Sequence, residues 1–224
     1  MGQYVDLLRS LPKTRRDVGA RRADKSPEVV AVARQYGREY FDGDRKYGYG
    51  GYSYDGRWRP VARDIRDHYR LHDYAFKKHL VLDVGCAKGF LVDAFWDSGV
   101  LAFGIDLSSY AVKHCPSELV GYLHVGLADD LPFPDDSFDL VLSINTLHNL
   151  PRPRLIAALR EVKRVSRGRM FVQVDSYRTA AEKALFEEWV LTAEFHGYPD
   201  DWLAVFEEAG YDGDYAWTIL EADD

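Results

Sequence analysis

Cysteine is scarce: Cys86 and Cys115 are the only two in 224 residues, 29 positions apart, with the first inside a glycine loop. A pair so placed gives neither a disulfide framework nor a zinc ligand cluster, and no metal is expected. No apolar run approaches the ~18 residues that span a bilayer. Residues 1–20 hold no apolar stretch ahead of a small-residue cleavage site. Neither a membrane segment nor a secretory leader is therefore expected, and a cytoplasmic location follows. Two nucleotide motifs are also missing. Lys88 precedes Gly89 with no Ser or Thr after it, which breaks the P-loop pattern. Gly85 and Gly89 flank Ala87, so the dinucleotide pattern G-x-G-x-x-G is incomplete.

Acidic residues predominate, with a net charge of −7, but unevenly. Residues 1–80 hold 18 Lys and Arg against 11 Asp and Glu, whereas residues 81–224 hold 11 against 25. An acidic body argues against nucleic acid, which needs many phosphate-neutralising cations on one surface. A basic N-terminal third suits a smaller anion instead.

What is present divides near residue 79. Residues 13–26, "KTRRDVGARRADKS", lack apolar periodicity and read as a solvated, weakly ordered arm. Ser26, Pro27 and Glu28 then open a helix as N-cap, N1 and dipole partner. Residues 46–58, "KYGYGGYSYDGRW", are rich in Gly and Tyr, and residues 59–75 read as a second amphipathic helix. From residue 79, short apolar runs alternate with helical periodicity: "HLVLDV", "VLAFGID", "LVGYLHV", "FDLVLSI" and "RMFVQV" are strands. The tail reads as helices over about 178–190 and 199–209, then a strand "DYAWTILE". Residues 1–78 are thus a basic extension and lid, and 79–224 a ligand-binding α/β domain.

The segment "VLDVGCAKGFL" (81–91) carries the chemistry. A strand ends near Asp83, a loop carries Gly85 and Gly89, and a helix follows at once. That turn aims backbone N–H groups at a ligand beyond the sheet's carboxyl edge. Asp106 ends the next strand, 21 residues after Gly85, where a carboxylate accepts two hydrogen bonds from a ribose diol. The expected ligand has an adenosine-like half and no diphosphate.

"LDVGCAKG", "GIDLSSYAV" and "LPFPDDSFDLVLSINTLHNL", in that order, resemble the class I S-adenosylmethionine-dependent methyltransferases. The resemblance implies a three-layer, Rossmann-like, doubly wound α/β fold. Its sheet is expected to be mostly parallel, with an antiparallel C-terminal strand and an N-terminal helical lid. It implies S-adenosylmethionine as cofactor, with Asp83, Gly85, Cys86, Ala87, Lys88 and Gly89 around the methionine half. Asp106 and Leu107 fall at the ribose, Ala128 and Asp129 along the adenine, and Ile144 and Asn145 at the amino-acid portion. Leu127 stands where the family often has Asp, so Asp129 or backbone groups are left to read the base.

His148, just past the fourth strand, is the candidate general base, with hydrogen-bonding to loop or substrate as its alternative. Asp175, Tyr177 and Arg178, at the end of the fifth strand, can face the acceptor; an N-cap is the alternative for Asp175. Tyr47, Tyr49, Tyr52, Tyr54, Arg57 and Trp58 are expected to form a lid, with Arg57, Arg59 and Arg63 available to carboxylates or phosphates. The expected activity is methyl transfer to an O or N atom of a small molecule, anionic or nucleotide-linked. A second copy of the chain is the candidate protein partner; nucleic acid and membrane are not. A nicotinamide-dependent oxidoreductase or epimerase, and a non-catalytic S-adenosylmethionine-binding module, are the competing readings.

Overall fold

Leu80–Val84 (β1), sequence LVLDV, is buried almost throughout, as a strand covered on both faces must be. Five others follow: β2 Leu101–Asp106, β3 Leu123–Val125, β4 Leu140–Ile144, β5 Met170–Ser176 and β6 Asp214–Ile219. The structure, a computed structural model, describes residues 2–12, 16–72 and 79–220. The strands form one sheet in the order β3-β2-β1-β4-β5-β6, every neighbouring pair parallel. The helices are α1 Val18–Asp24, α2 Pro27–Ala33, α3 Arg38–Asp42, α4 Trp58–His68, α5 Phe90–Asp97, α6 Ser109–Lys113, α7 Arg152–Val165, α8 Ala180–Trp189 and α9 Pro199–Ala209.

Alternation along the strands separates two cores. Val81, Leu140 and Leu142 join Val61, Ile65, Leu91 and Phe95 of α4 and α5 on one face. Leu82, Val84 and Val141 join Leu155, Leu159 and Val162 of α7, with Trp202, Val205 and Phe206 of α9, on the other. The α7 and α9 residues recur at i, i+3, i+4 and i+7, which places them on one helical stripe. Each large apolar side chain so buried contributes about 1.5–3 kcal/mol. Gly210, at φ 70°, ends α9 in the left-handed region.

Three expectations need revision here. First, β6 runs parallel to β5, with Phe171 opposite Asp214 through Ser176 opposite Ile219. Two helices, α8 and α9, lie between these strands and return the chain to the end where β5 began, so the final strand cannot reverse. The backbone of Gln3 and Val5 bonds Tyr215 on the outer side of β6. Second, the basic arm is not a solvated coil: Asp17 caps α1 through a 2.8 Å bond from the Ala20 amide. Arg21 of that helix is buried, donating to the carbonyls of Lys46 (2.8 Å) and Gly48 (3.1 Å). Lys13 to Arg15 lie outside the described residues. Third, α4 stops at His68, short of 75, and residues 73–75 of the expected helix lie outside the described residues. Ser26 does cap α2, 3.3 Å from the Val29 amide. Among the described residues no helix is long and apolar enough to cross a membrane.

Candidate active site

Strand order reverses between β1 and β4, and ligands of doubly wound sheets bind outside the carboxyl ends at such a point. Two cavities open there. The first, about 280 Å³, is lined by Gly85, Ala87, Asp106, Leu107, Leu127 and Ala128 among others. The second, about 520 Å³, is lined by Tyr52, Tyr54, Arg57, Trp58, His148 and Asp175 among others. Tyr40, Tyr49, Asn145 and Asn149 belong to both walls.

Backbone geometry makes the first cavity. Gly85 sits at φ 84°, and a Cβ there would lie 2.1 Å from Thr146 Oγ1, so the turn leaves no room for a side chain. Ala87 adopts φ 51° without being glycine, and its amide donates to Asp106 Oδ2 at 2.8 Å. The other oxygen, Asp106 Oδ1, accepts from the Ser108 amide at 2.7 Å. Ser108, not Asp106, caps α6. The Asp106 carboxylate is thus held by the glycine loop on one side and α6 on the other, with further lone pairs to offer a diol.

Two carboxyls crowd this end of the sheet without a cation paired to either among the described residues. Burial, and then the charge of Asp106, push Asp83 up to about 8. Burial also raises Asp106, and its two amide bonds oppose that shift. Folding therefore favours the protonated Asp83. Its contribution to stability is complete below the ordinary carboxyl pKa near 4 and is lost as pH rises through about 8. In the free protein, Asp83→Asn is expected to flatten the fall in Tm between about pH 5 and pH 8; parallel Tm profiles for variant and parent would contradict this.

In the second cavity the buried His148 ring faces Asp175. His148 Nδ1 accepts the Asp175 amide at 3.1 Å, and Nε2 lies 3.5 Å from Asp175 Oδ2. Burial lowers the His148 pKa, the Asp175 charge acting against it. Asp175 is no helix cap, because Thr179 caps α8 with Glu182 completing the box. Asn149 Oδ1, on the wall common to both cavities, is buried without a hydrogen-bond partner.

Residues 82–172 match the family described as a methyltransferase domain. An uncharacterised methyltransferase of Bacillus subtilis, YcgJ, is 36% identical over 121 residues, covering 50% of this chain and 46% of that one. A fatty-acid O-methyltransferase of Mycolicibacterium smegmatis is 38% identical over 104 residues, 43% of this chain and 36% of that one. The crystal structure of a SAM-dependent methyltransferase from Archaeoglobus fulgidus shares the fold, with a TM-score of 0.53 over 68% of each chain at 18% identity. Residues 82–172 thus form a methyltransferase domain, and the matches support the class I S-adenosylmethionine-dependent type. The matched stretch spans less than half the length of either curated relative.

The candidate site gathers some expected residues and leaves others out. Gly85, Ala87, Asp106, Leu107, Ala128 and Asn145 line the first cavity, whereas Asp83, Cys86, Gly89 and Ile144 do not. Lys88 turns away from both cavities. Its ammonium meets Asp42 of α3 at 2.8 and 2.7 Å and the Tyr52 carbonyl at 2.9 Å. Asp42 also accepts from Tyr110 (2.8 Å) and from the Tyr52 amide (3.1 Å). Burial alone would raise Asp42; these bonds outweigh it and hold the carboxyl below its ordinary range. Lys88 therefore fastens the lid to the glycine loop. Asp129 is clasped by Arg154 at 2.6 and 2.7 Å, so it is not aimed at a base.

The lid assignment divides likewise. Tyr49, Tyr52, Tyr54, Arg57 and Trp58 line the second cavity, while Tyr47 packs beside Val29, Ala33 and Leu191. Tyr49 is enclosed yet 44% accessible, because its ring looks into cavity space. Tyr177 is buried, its hydroxyl 3.0 Å from His196 Nδ1, and Arg178 pairs with Glu182 at 2.6 Å. Neither lines either of these two cavities. Sequence reasoning missed Tyr36, Tyr40 and Phe41, which roof the first cavity. Their signal was the i, i+4 aromatic pair in "YGREYF", whose rings meet at 5.2 Å.

Proposed function

We propose that this chain transfers a methyl group from S-adenosylmethionine to an O or N atom of a small molecule. The observation that supports this best is the meeting of two cavities at Tyr40, Tyr49, Asn145 and Asn149. One holds an oriented carboxylate, and the other holds the His148–Asp175 pair. A cavity of about 520 Å³ is of small-molecule size.

The residues of the first cavity fit the cofactor. Asp106 retains lone pairs for the ribose hydroxyls. Asn149 Oδ1, a buried acceptor on the wall common to both cavities, suits a donor of the cofactor. Leu107, Leu127 and Ala128 supply an apolar slot for a base. When bound, S-adenosylmethionine supplies an electrophilic methyl on a sulfonium. Displacement there needs the acceptor atom in line at roughly 3 Å, so positioning carries much of the rate. The aromatic faces of Tyr40 and Tyr49, at the junction of the two cavities, suit a cationic centre. The Tyr49, Tyr52 and Phe90 rings, 4.4 and 4.9 Å apart in succession, close one side against water.

The His148–Asp175 pair receives the acceptor's proton. With Nδ1 accepting an amide hydrogen, neutral His148 carries its own hydrogen on Nε2, beside Asp175. Nε2 then donates and cannot accept, so the Asp175 carboxylate takes the proton and His148 orients it.

Calorimetric titration tests the cofactor assignment. S-adenosylmethionine and S-adenosylhomocysteine are expected to bind and NAD not to. Absence of heat from the first two, or binding of NAD instead, would remove the reading in favour of a nicotinamide enzyme.

A further inference from the structure

The second cavity has a wall that methyl transfer does not require. Trp189, at the end of α8, lines it together with Arg16, Arg21 and Arg45. All three guanidiniums lie over the same indole, at 5.8, 4.8 and 5.4 Å from the ring centroid. Cations on an aromatic face are individually favourable. Three on one ring repel each other, and the low dielectric of a partly buried site magnifies that cost. Arg21 registers it: burial, and then the charge of Arg45, lower its pKa.

Other arginines of this chain are matched by carboxylates. Arg57 is clasped by Asp55, Arg59 by Asp97, and Arg154 by Asp129. No carboxylate pairs with Arg16, Arg21 or Arg45 among the described residues. Arg21 spends two nitrogens on the carbonyls of Lys46 and Gly48, and Arg45 one on Gly48, which fixes both forks. Among the described residues, the remaining donors of Arg45 and those of Arg16 stay available to the cavity, and Asp175 is the only carboxylate on its wall besides Asp55, which Arg57 already holds.

We infer that this wall is an oxyanion subsite, and that the methyl acceptor carries a phosphate group held by Arg16, Arg21 and Arg45 over Trp189. A dianion answers three clustered cations better than a single carboxylate does, and arginine forks match phosphate oxygens. The inference rests on the methyltransferase reading for the word acceptor, but the anion site itself does not. The residues differ from those the sequence suggested. Arg59 is spent on a surface ion pair, Arg57 reaches the cavity already clasped, and Arg63 lies on neither wall.

Calorimetry with phenyl phosphate, benzoate and phenol as probes, on the full chain, tests this. Phenyl phosphate is expected to bind at least tenfold more tightly than benzoate, with phenol weakest and affinity falling as salt rises. Arg16→Gln and Arg45→Gln are each expected to weaken phenyl phosphate by about tenfold or more, while leaving S-adenosylhomocysteine affinity within about twofold. Neither side chain is fully buried, so both variants should retain the parent Tm and circular dichroism spectrum. Equal binding of benzoate and phenyl phosphate, or variants that bind phenyl phosphate as the parent does, would overturn the subsite. Loss of S-adenosylhomocysteine affinity in the variants would also overturn it, assigning the arginines to the cofactor's own carboxylate. If the parent binds phenyl phosphate and not S-adenosylhomocysteine, the cofactor reading fails while the anion site stands.

Discussion

Asp175→Asn is expected to lower turnover by about 100-fold or more, the scale on which a positioned acid–base group acts, with S-adenosylhomocysteine affinity unchanged. The reason is the hydrogen-bond order around His148. Its Nδ1 lone pair is occupied by the Asp175 amide at 3.1 Å. To accept a proton at Nε2 the imidazole would first need its hydrogen on Nδ1, pointing at that same amide hydrogen. A carboxylate that has become an amide cannot take the proton, whereas a missing imidazole only releases the carboxylate from its orientation. His148→Ala is therefore expected to cost less than Asp175→Asn, about tenfold in kcat. If the histidine variant is the more damaged of the two, the base is His148 and not Asp175.

Asp106→Ala is expected to weaken S-adenosylhomocysteine by at least about tenfold, the loss of one charged hydrogen bond worth about 1.5 kcal/mol or more. The effect goes beyond the missing diol contact. The Ala87 amide, 2.8 Å from Asp106 Oδ2, also loses its acceptor, and Ala87 occupies a left-handed conformation that a non-glycine residue adopts reluctantly. Asp106→Asn separates the two parts, since its amide oxygen can still meet one backbone donor while the charge is gone. Titration calorimetry should place Asn between parent and Ala; an Ala variant that binds like the parent would take Asp106 out of the site.

The sheet and the first cavity were legible because their signals are local. Apolar runs such as "LVLDV" and the stripe of Leu155, Leu159 and Val162 state which faces are buried. The turn around Gly85 and the position of Asp106 follow from strand ends. What could not be read depends on where side chains turn in space. Lys88 lies in a loop expected to touch cofactor, yet Asp42, 46 positions earlier, claims its charge. Tyr177 and Arg178 stand at the correct end of β5 and still face Phe186 and Glu182. The basic stretch around Arg21 has no amphipathic period, because it is ordered by carbonyls at Lys46 and Gly48 and by an indole at position 189. Such contacts leave no mark on hydropathy. The direction of β6 was a different kind of error, since the two helices preceding it already dictated a crossover.

The Asp42–Lys88 ion pair has a thermodynamic consequence. It joins the glycine loop to α3, which roofs the first cavity; the same ammonium also holds the Tyr52 carbonyl on the wall of the second, and the two cavities share four residues. Two ligands that both prefer the fastened arrangement are coupled through it, and the coupling is reciprocal: whatever factor one adds to the other's affinity, it receives back. Cutting the pair should shrink that shared factor for both ligands equally, leaving only the coupling carried by the four common wall residues.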